Sequence, residues 1–156
     1  MNRENLTQIK KIVKEFFEKM DFYVESEVLL LEKNIISIKI KTDEPKVLIG
    51  QNGQTLFEIQ RLLKMILKRQ VLLEEECYID LDINDYKLKK IRYLKETAND
   101  LADEVSLNKQ EKALEPMPAF ERRVIHLELA NRKDIITESV GEEPQRYIVI
   151  KPVSVT

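Results

Sequence analysis

The sequence has no tryptophan, one cysteine, one histidine and three glycines. Each scarcity excludes something. A lone Cys77 rules out an internal disulfide and fits a reducing compartment. One histidine and one cysteine leave no cluster with metal-ligand spacing, so neither a metal nor another cofactor is expected. Catalysis by His126 would need a nucleophile or a second acid beside it, and nothing marks one; an enzyme is not expected. No apolar run approaches the roughly 20 residues that span a bilayer, and the N-terminus lacks the basic-then-apolar layout of a signal peptide. The expectation is a cytoplasmic protein without membrane insertion. A net charge of −2 leaves no basic domain in bulk. Residues 1–84 carry 13 Lys/Arg against 15 Asp/Glu, and residues 85–156 carry 13 of each. Phosphate binding would therefore depend on local patches and be sensitive to salt.

What is present is a core. Hydrophobic residues make up 43% of 156, enough for one ordinary domain or two small ones. Leu6, Ile9, Ile12, Val13, Phe16, Phe17 and Met20 repeat at threes and fours, which predicts an amphipathic helix over 5–20. Residues 23–31 and 35–42 read as strands joined by a turn at Lys33-Asn34; in the second, Ile36, Ile38 and Ile40 alternate with Ser37, Lys39 and Lys41. A short helix follows at Val47-Leu48-Ile49, then a helix from Gln54 to about Gln70, and a strand over 77–83. Beyond Asn84, a long helix precedes a short strand at 112–115 and a helix over 119–131 with Phe120, Val124, Leu127 and Ala130 inward. Strands over 134–140 and 146–151 flank a turn at Gly141-Glu142-Glu143-Pro144. The fold class is α+β. The runs Glu74-Glu75-Glu76 and Glu142-Glu143 read as solvated surface, and Cys77 as an inert side chain on a strand's apolar face.

Two of the three glycines bracket Gly50-Gln51-Asn52-Gly53. Glycine permits close backbone approach and positive φ, and a loop that opens a helix offers unpaired amides and the positive end of the dipole. That suits a phosphate, although the same spacing occurs in ordinary turns. The wider segment Val47-Leu48-Ile49-Gly50-Gln51-Asn52-Gly53-Gln54-Thr55-Leu56 resembles the KH-domain signature, and the order helix, strand, strand, helix, helix, strand is similar to the type II KH arrangement (αββααβ). The resemblance implies that Gly50, Gln51, Asn52 and Gly53 clamp the backbone of a single strand while bases lie on an adjoining apolar groove. Many KH domains carry a Lys or Arg at the central positions. Here Gln51 and Asn52 bring no charge, so positive charge must come from neighbours, with Lys46, Arg61, Lys64 and Lys68 as candidates.

In the second half, Arg122 and His126 are four residues apart and share a helix face. The segment Glu121-Arg122-Arg123-Val124-Ile125-His126 resembles the heart of an R3H domain, and the flanks 113–117 and 139–146 match as well. R3H domains are associated with single-stranded nucleic acid. The resemblance implies that Arg122 and His126 contact phosphate or base on an exposed face, with Arg123 and Arg146 as neighbours. The rival role for His126 is to fix the helix against the sheet.

KH followed by R3H is the layout of the bacterial Jag family, also called SpoIIIJ-associated or KhpB proteins, which this chain resembles over nearly its whole length. The expected domains are a type II KH domain over 1–84 and, over 85–156, a small α/β R3H domain with a three-stranded sheet. Family members commonly carry an N-terminal Jag domain; this sequence starts at the first KH helix. That leaves open whether the domain is absent from the natural protein or only from this sequence, and functions that depend on it are not expected to transfer. The resemblance implies a non-catalytic protein that binds single-stranded RNA, with single-stranded DNA as an alternative ligand. It also implies a post-transcriptional role in the bacterial cell envelope or division, with a small KH-domain protein or a further copy of the chain as partner. The competing expectation is a protein-interaction scaffold of KH-like fold that has lost RNA affinity.

Overall fold

The computed structural model describes residues 3–32, 35–71 and 77–153. The expected turn at Lys33-Asn34 and the acidic run Glu74-Glu75-Glu76 lie outside the described residues. The chain forms two compact units, residues 1–87 and 88–156.

The first unit runs α1 (Arg3–Glu18), β1 (Glu25–Glu32), β2 (Ile35–Lys41), α2 (Pro45–Ile49), α3 (Gln54–Val71) and β3 (Tyr78–Ile83), the expected αββααβ order. Strand order is β1-β2-β3. β1 pairs antiparallel with β2, whereas β2 and β3 are parallel, with Ile36 opposite Ile79, Ile38 opposite Leu81 and Ile40 opposite Ile83. Parallel neighbours cannot be joined by a tight turn. The crossover between them holds α2, the glycine loop and α3, so sheet topology fixes where the loop sits. One face of α1 (Ile9, Ile12, Val13, Phe17) and one face of α3 (Leu56, Ile59, Leu63, Leu67) close over the buried isoleucines of β2 and β3. Each fully buried Ile or Leu contributes about 1.5–3 kcal/mol relative to exposure. Cys77 is buried in this core, as its strand position implied. Ser37 departs from the alternation and is buried as well; it lies on the middle strand, with Leu29 and Asp80 in register on its two sides.

Asn84 seals the end of the sheet. Its Nδ2 donates to the Thr42 carbonyl at 2.8 Å, its Oδ1 accepts from the Thr42 N–H at 3.0 Å, and its own N–H donates to the Ile40 carbonyl at 2.9 Å.

The second unit contains most of α4 (Tyr86–Asn108), then β4 (Lys112–Ala113), α5 (Ala119–Leu129), β5 (Ile135–Val140) and β6 (Tyr147–Pro152). The three strands make an antiparallel sheet in the order β4-β6-β5. Leu94, Ala98, Ala102 and Val105 of α4 pack with Ile125, Leu129, Ile148 and Ile150.

The orientation of α5 corrects the sequence expectation. Phe120 and Leu127, expected inward, are 62% and 64% exposed, and Ala130 is exposed too. The buried residues are Glu121, Arg122, Ile125 and Leu129. Two charged residues occupy inward positions because other elements supply partners. Lys90 of α4 pairs with Glu121 at 3.6 Å, and Glu143 with Arg122 at 2.6 Å.

Candidate nucleic-acid interface

The loop between α2 and α3 is built on backbone geometry that glycine alone adopts without strain. Gly50 closes α2 with φ 71° and ψ −174°, its N–H bonded to the Lys46 carbonyl at 3.0 Å. A Cβ at this position would stand 2.1 Å from Thr55 Oγ1 and 2.8 Å from Thr55 Cβ. Asn52 follows with φ 52° in the left-handed region that asparagine tolerates, and Gly53 with φ 79°. Behind Gly53 lies the Tyr86 ring, 3.0 Å from where a Cβ would be. The loop is therefore pressed against Thr55 on one side and Tyr86 on the other, and the side chains of Gln51 and Asn52 are exposed. The first-turn amides of α3 lie at its mouth, with the positive end of the helix dipole.

The basic residues expected to support the loop are spread out. Lys46, on α2, is exposed and four residues before Gly50. Along α3, Arg61, Lys64 and Lys68 stand about 10, 15 and 21 Å beyond Gln54 at 1.5 Å per residue. Arg61 is exposed, Lys64 sits 5.4 Å from the centre of the Tyr78 ring, and Lys68 is half-buried. Of these four, Lys46 is the nearest to the loop along the chain, and the helix end adds its own positive potential.

In the second unit, the expected pair separates by role. Arg122 is 6% exposed, which overturns the expectation of an exposed contact. Its Nη1 donates to the Met117 carbonyl at 2.7 Å, and its Nη2 donates to Glu143 Oε1 at 2.6 Å. The guanidinium thus ties the start of α5 to the turn between β5 and β6. Half-buried His126 places Nδ1 2.7 Å from Thr137 Oγ1 on β5, the contact that the rival role called for. Burial, and then the Arg122 charge, lower its pKa from the usual imidazole value. Arg146 Nε donates to Ser139 Oγ at 2.9 Å and braces the same turn. Arg123 alone of these four is exposed with no hydrogen bond or ion pair among the described residues. Periodicity did not reveal the supporting roles of Thr55, Tyr86 and Glu143. The sharpest available signal was the glycine at position 50, which demands a crowded neighbour.

Among the described residues, no group of three or more His, Cys, Asp or Glu is placed to hold a metal ion, and no helix is long and apolar enough to cross a membrane.

The R3H domain family matches residues 92–152, the helix–sheet unit in which Arg122 ties α5 to the β5–β6 turn and His126 meets β5. Similarity extends well beyond that segment. The "RNA-binding protein KhpB" of Clostridium symbiosum is 32% identical over 151 residues, covering 95% of this chain and 67% of the relative. Its namesake in Bacillus subtilis (strain 168) is 34% identical over 129 residues, covering 81% of this chain and 61% of the relative. The one in Lactiplantibacillus plantarum is 32% identical over 114 residues, covering 73% and 35%. The chain belongs to the KhpB family, and it spans between about a third and two-thirds of the length of these relatives.

Proposed function

We propose that the chain binds single-stranded RNA without catalysis, with the first unit acting as a type II KH domain over about 1–84 and the second, over 85–156, as its R3H companion. The observation that carries this reading is the loop at 50–53. Gly50 holds a backbone conformation reserved for glycine and packs onto Thr55, which leaves exposed Gln51 and Asn52 at the head of an 18-residue helix. Such a loop can approach a sugar-phosphate backbone closely and meet it with amides and neutral hydrogen-bonding side chains. The relatives' shared name, RNA-binding protein KhpB, supports RNA as the ligand, with single-stranded DNA as a weaker substitute. Lys46 supplies the nearest charge; Arg61, Lys64 and Lys68 extend the path along α3; Arg123 and Arg146 are the candidates on the second unit. With Arg122 turned inward, it and His126 act as braces that shape the R3H surface.

The reading extends to a cytoplasmic, post-transcriptional role in cell-envelope growth or division, in company with a small KH-domain protein or a second copy. Exposed Phe57, Leu62 and Met65 on α3 offer apolar surface for such a partner. The same residues, together with the net charge of −2, favour the second reading, a protein scaffold without RNA affinity.

A titration of labelled single-stranded RNA at two salt concentrations separates the two. RNA binding gives a saturable isotherm that weakens as salt rises, and Gln51→Asp with Asn52→Asp abolishes it while the circular dichroism spectrum stays unchanged. No binding at low salt leaves the scaffold; normal binding by the double variant removes the loop from the site.

A further inference from the structure

We propose that the outward stripe of α5, formed by Phe120, Arg123 and Leu127, is a second contact for single-stranded RNA, stacking bases on its apolar side chains and holding phosphate with the guanidinium. The proposal rests on the RNA-binding reading above and gives the Arg123 contact its apolar partners, Phe120 and Leu127.

Spacings of three and four put the three side chains on one helix face, over a span of about 10 Å. Phe120 and Leu127 are among the most exposed large apolar residues of the second unit, and Arg123 stands between them without a partner among the described residues. The charge around the stripe is one-sided for a structural reason. Both carboxylates of α5 point toward α4, where Lys90 holds Glu121 at 3.6 Å, and Lys95 holds Glu128 at 2.9 Å with Asn99 Nδ2 donating to it at 3.0 Å. Of the charged residues of α5, the outward face keeps Arg123. Lys133, just past the helix end, is likewise exposed and without a partner among the described residues.

An apolar–cation–apolar row matches a single strand, in which base faces alternate with phosphates. Stacking on an aromatic ring is sequence-tolerant, because every base has a π-face, and a guanidinium can both pair with phosphate and stack. A protein partner fits less well. The stripe is centred on a charge, and its apolar neighbours are small or half-buried (Ala119, Val124 and Ala130), which leaves little apolar area to bury.

The absence of tryptophan supplies the test. In the full chain, Phe120→Trp introduces a single indole, titrated with oligouridylate while anisotropy of the labelled oligonucleotide follows binding. Stacking quenches the indole emission in proportion to occupancy, and added salt restores it. Phe120→Ser weakens binding by about tenfold, Leu127→Ser weakens it by less because an aliphatic side chain only packs against a base, and Arg123→Gln reduces the salt slope by about one. If wild type binds, the indole emission stays constant and the other variants bind as wild type, the stripe is wrong and the loop reading stands. If wild type does not bind at low salt, the RNA reading falls and the stripe falls with it. If sedimentation finds a wild-type dimer that Phe120→Ser makes monomeric at unchanged RNA affinity, the stripe is a protein contact and the proposal is overturned.

Discussion

Replacing Gly50 by alanine tests the loop at its most constrained point. Two costs add. The backbone pair φ 71°, ψ −174° lies in a region populated essentially by glycine, and holding another residue there costs about 1–3 kcal/mol. The new methyl would also stand 2.1 Å from Thr55 Oγ1 and 2.8 Å from Thr55 Cβ, and overpacking of that kind costs about 1–3 kcal/mol more. The total of roughly 2–6 kcal/mol compares with a typical domain stability of about 5–15 kcal/mol. Urea denaturation measures the loss as a lowered midpoint at unchanged slope. A double-mutant cycle with Thr55→Gly then separates the two costs. Removing the Thr55 side chain leaves its backbone nitrogen, 3.0 Å from the added methyl, as the nearest remaining Thr55 atom. In that background Gly50→Ala should cost about 1–3 kcal/mol less. Gly53→Ala should cost less than Gly50→Ala, because its methyl meets the far end of the Tyr86 ring, which can swing away. A loss under about 1 kcal/mol for Gly50→Ala, or strict additivity in the cycle, would refute this account of the loop.

Arg122→Ala should destabilise the second unit by about 2–3 kcal/mol, because it leaves the Met117 carbonyl without its buried donor. Arg122→Lys should rescue little, since one ammonium cannot span both the carbonyl and Glu143. Thermal unfolding of both variants checks this, and reduced RNA affinity at an unchanged melting temperature would mean that Arg122 touches the ligand. For His126, a folded-state pKa below the usual imidazole value means that the unfolded chain binds the extra proton first. Stability should therefore be level above about pH 7 and decline as pH falls through the ordinary value of about 6.5 toward the lowered one. His126→Gln should flatten the profile, and an unchanged profile in that variant would assign the pH dependence elsewhere.

The first unit was readable because its cues are local. Ile36, Ile38 and Ile40 alternate within seven residues, α3 repeats its leucines, and Gly50 and Gly53 punctuate the chain where backbone conformation turns positive in φ. The second unit concealed its helix register. On α5, Phe120, Leu127 and Ala130 lie in an apolar row with Val124, yet only Val124 of that row packs against the core, beside the buried Glu121, Arg122, Ile125 and Leu129. What decides between them is the arrival of Lys90 and Glu143, 31 and 21 positions away in the chain from the residues they neutralise. Periodicity counts hydrophobes and cannot see such partners. Arg122 was expected on an exposed face through the likeness to the R3H motif, and the groups that receive its guanidinium, the Met117 carbonyl and Glu143, cannot be read from the sequence.

The Tyr86 ring behind Gly53 bears on how this protein can be taken apart. A fragment cut after Asn84 keeps every strand of the first sheet and both glycines, yet removes the wall against which the loop is set. A fragment cut after Lys87 retains that wall, and Lys87 itself pairs with Asp80 on β3. Comparing the two lengths would separate sheet stability from loop shape, and would test whether the residue at which the domain stops being foldable is also the one at which it stops being functional.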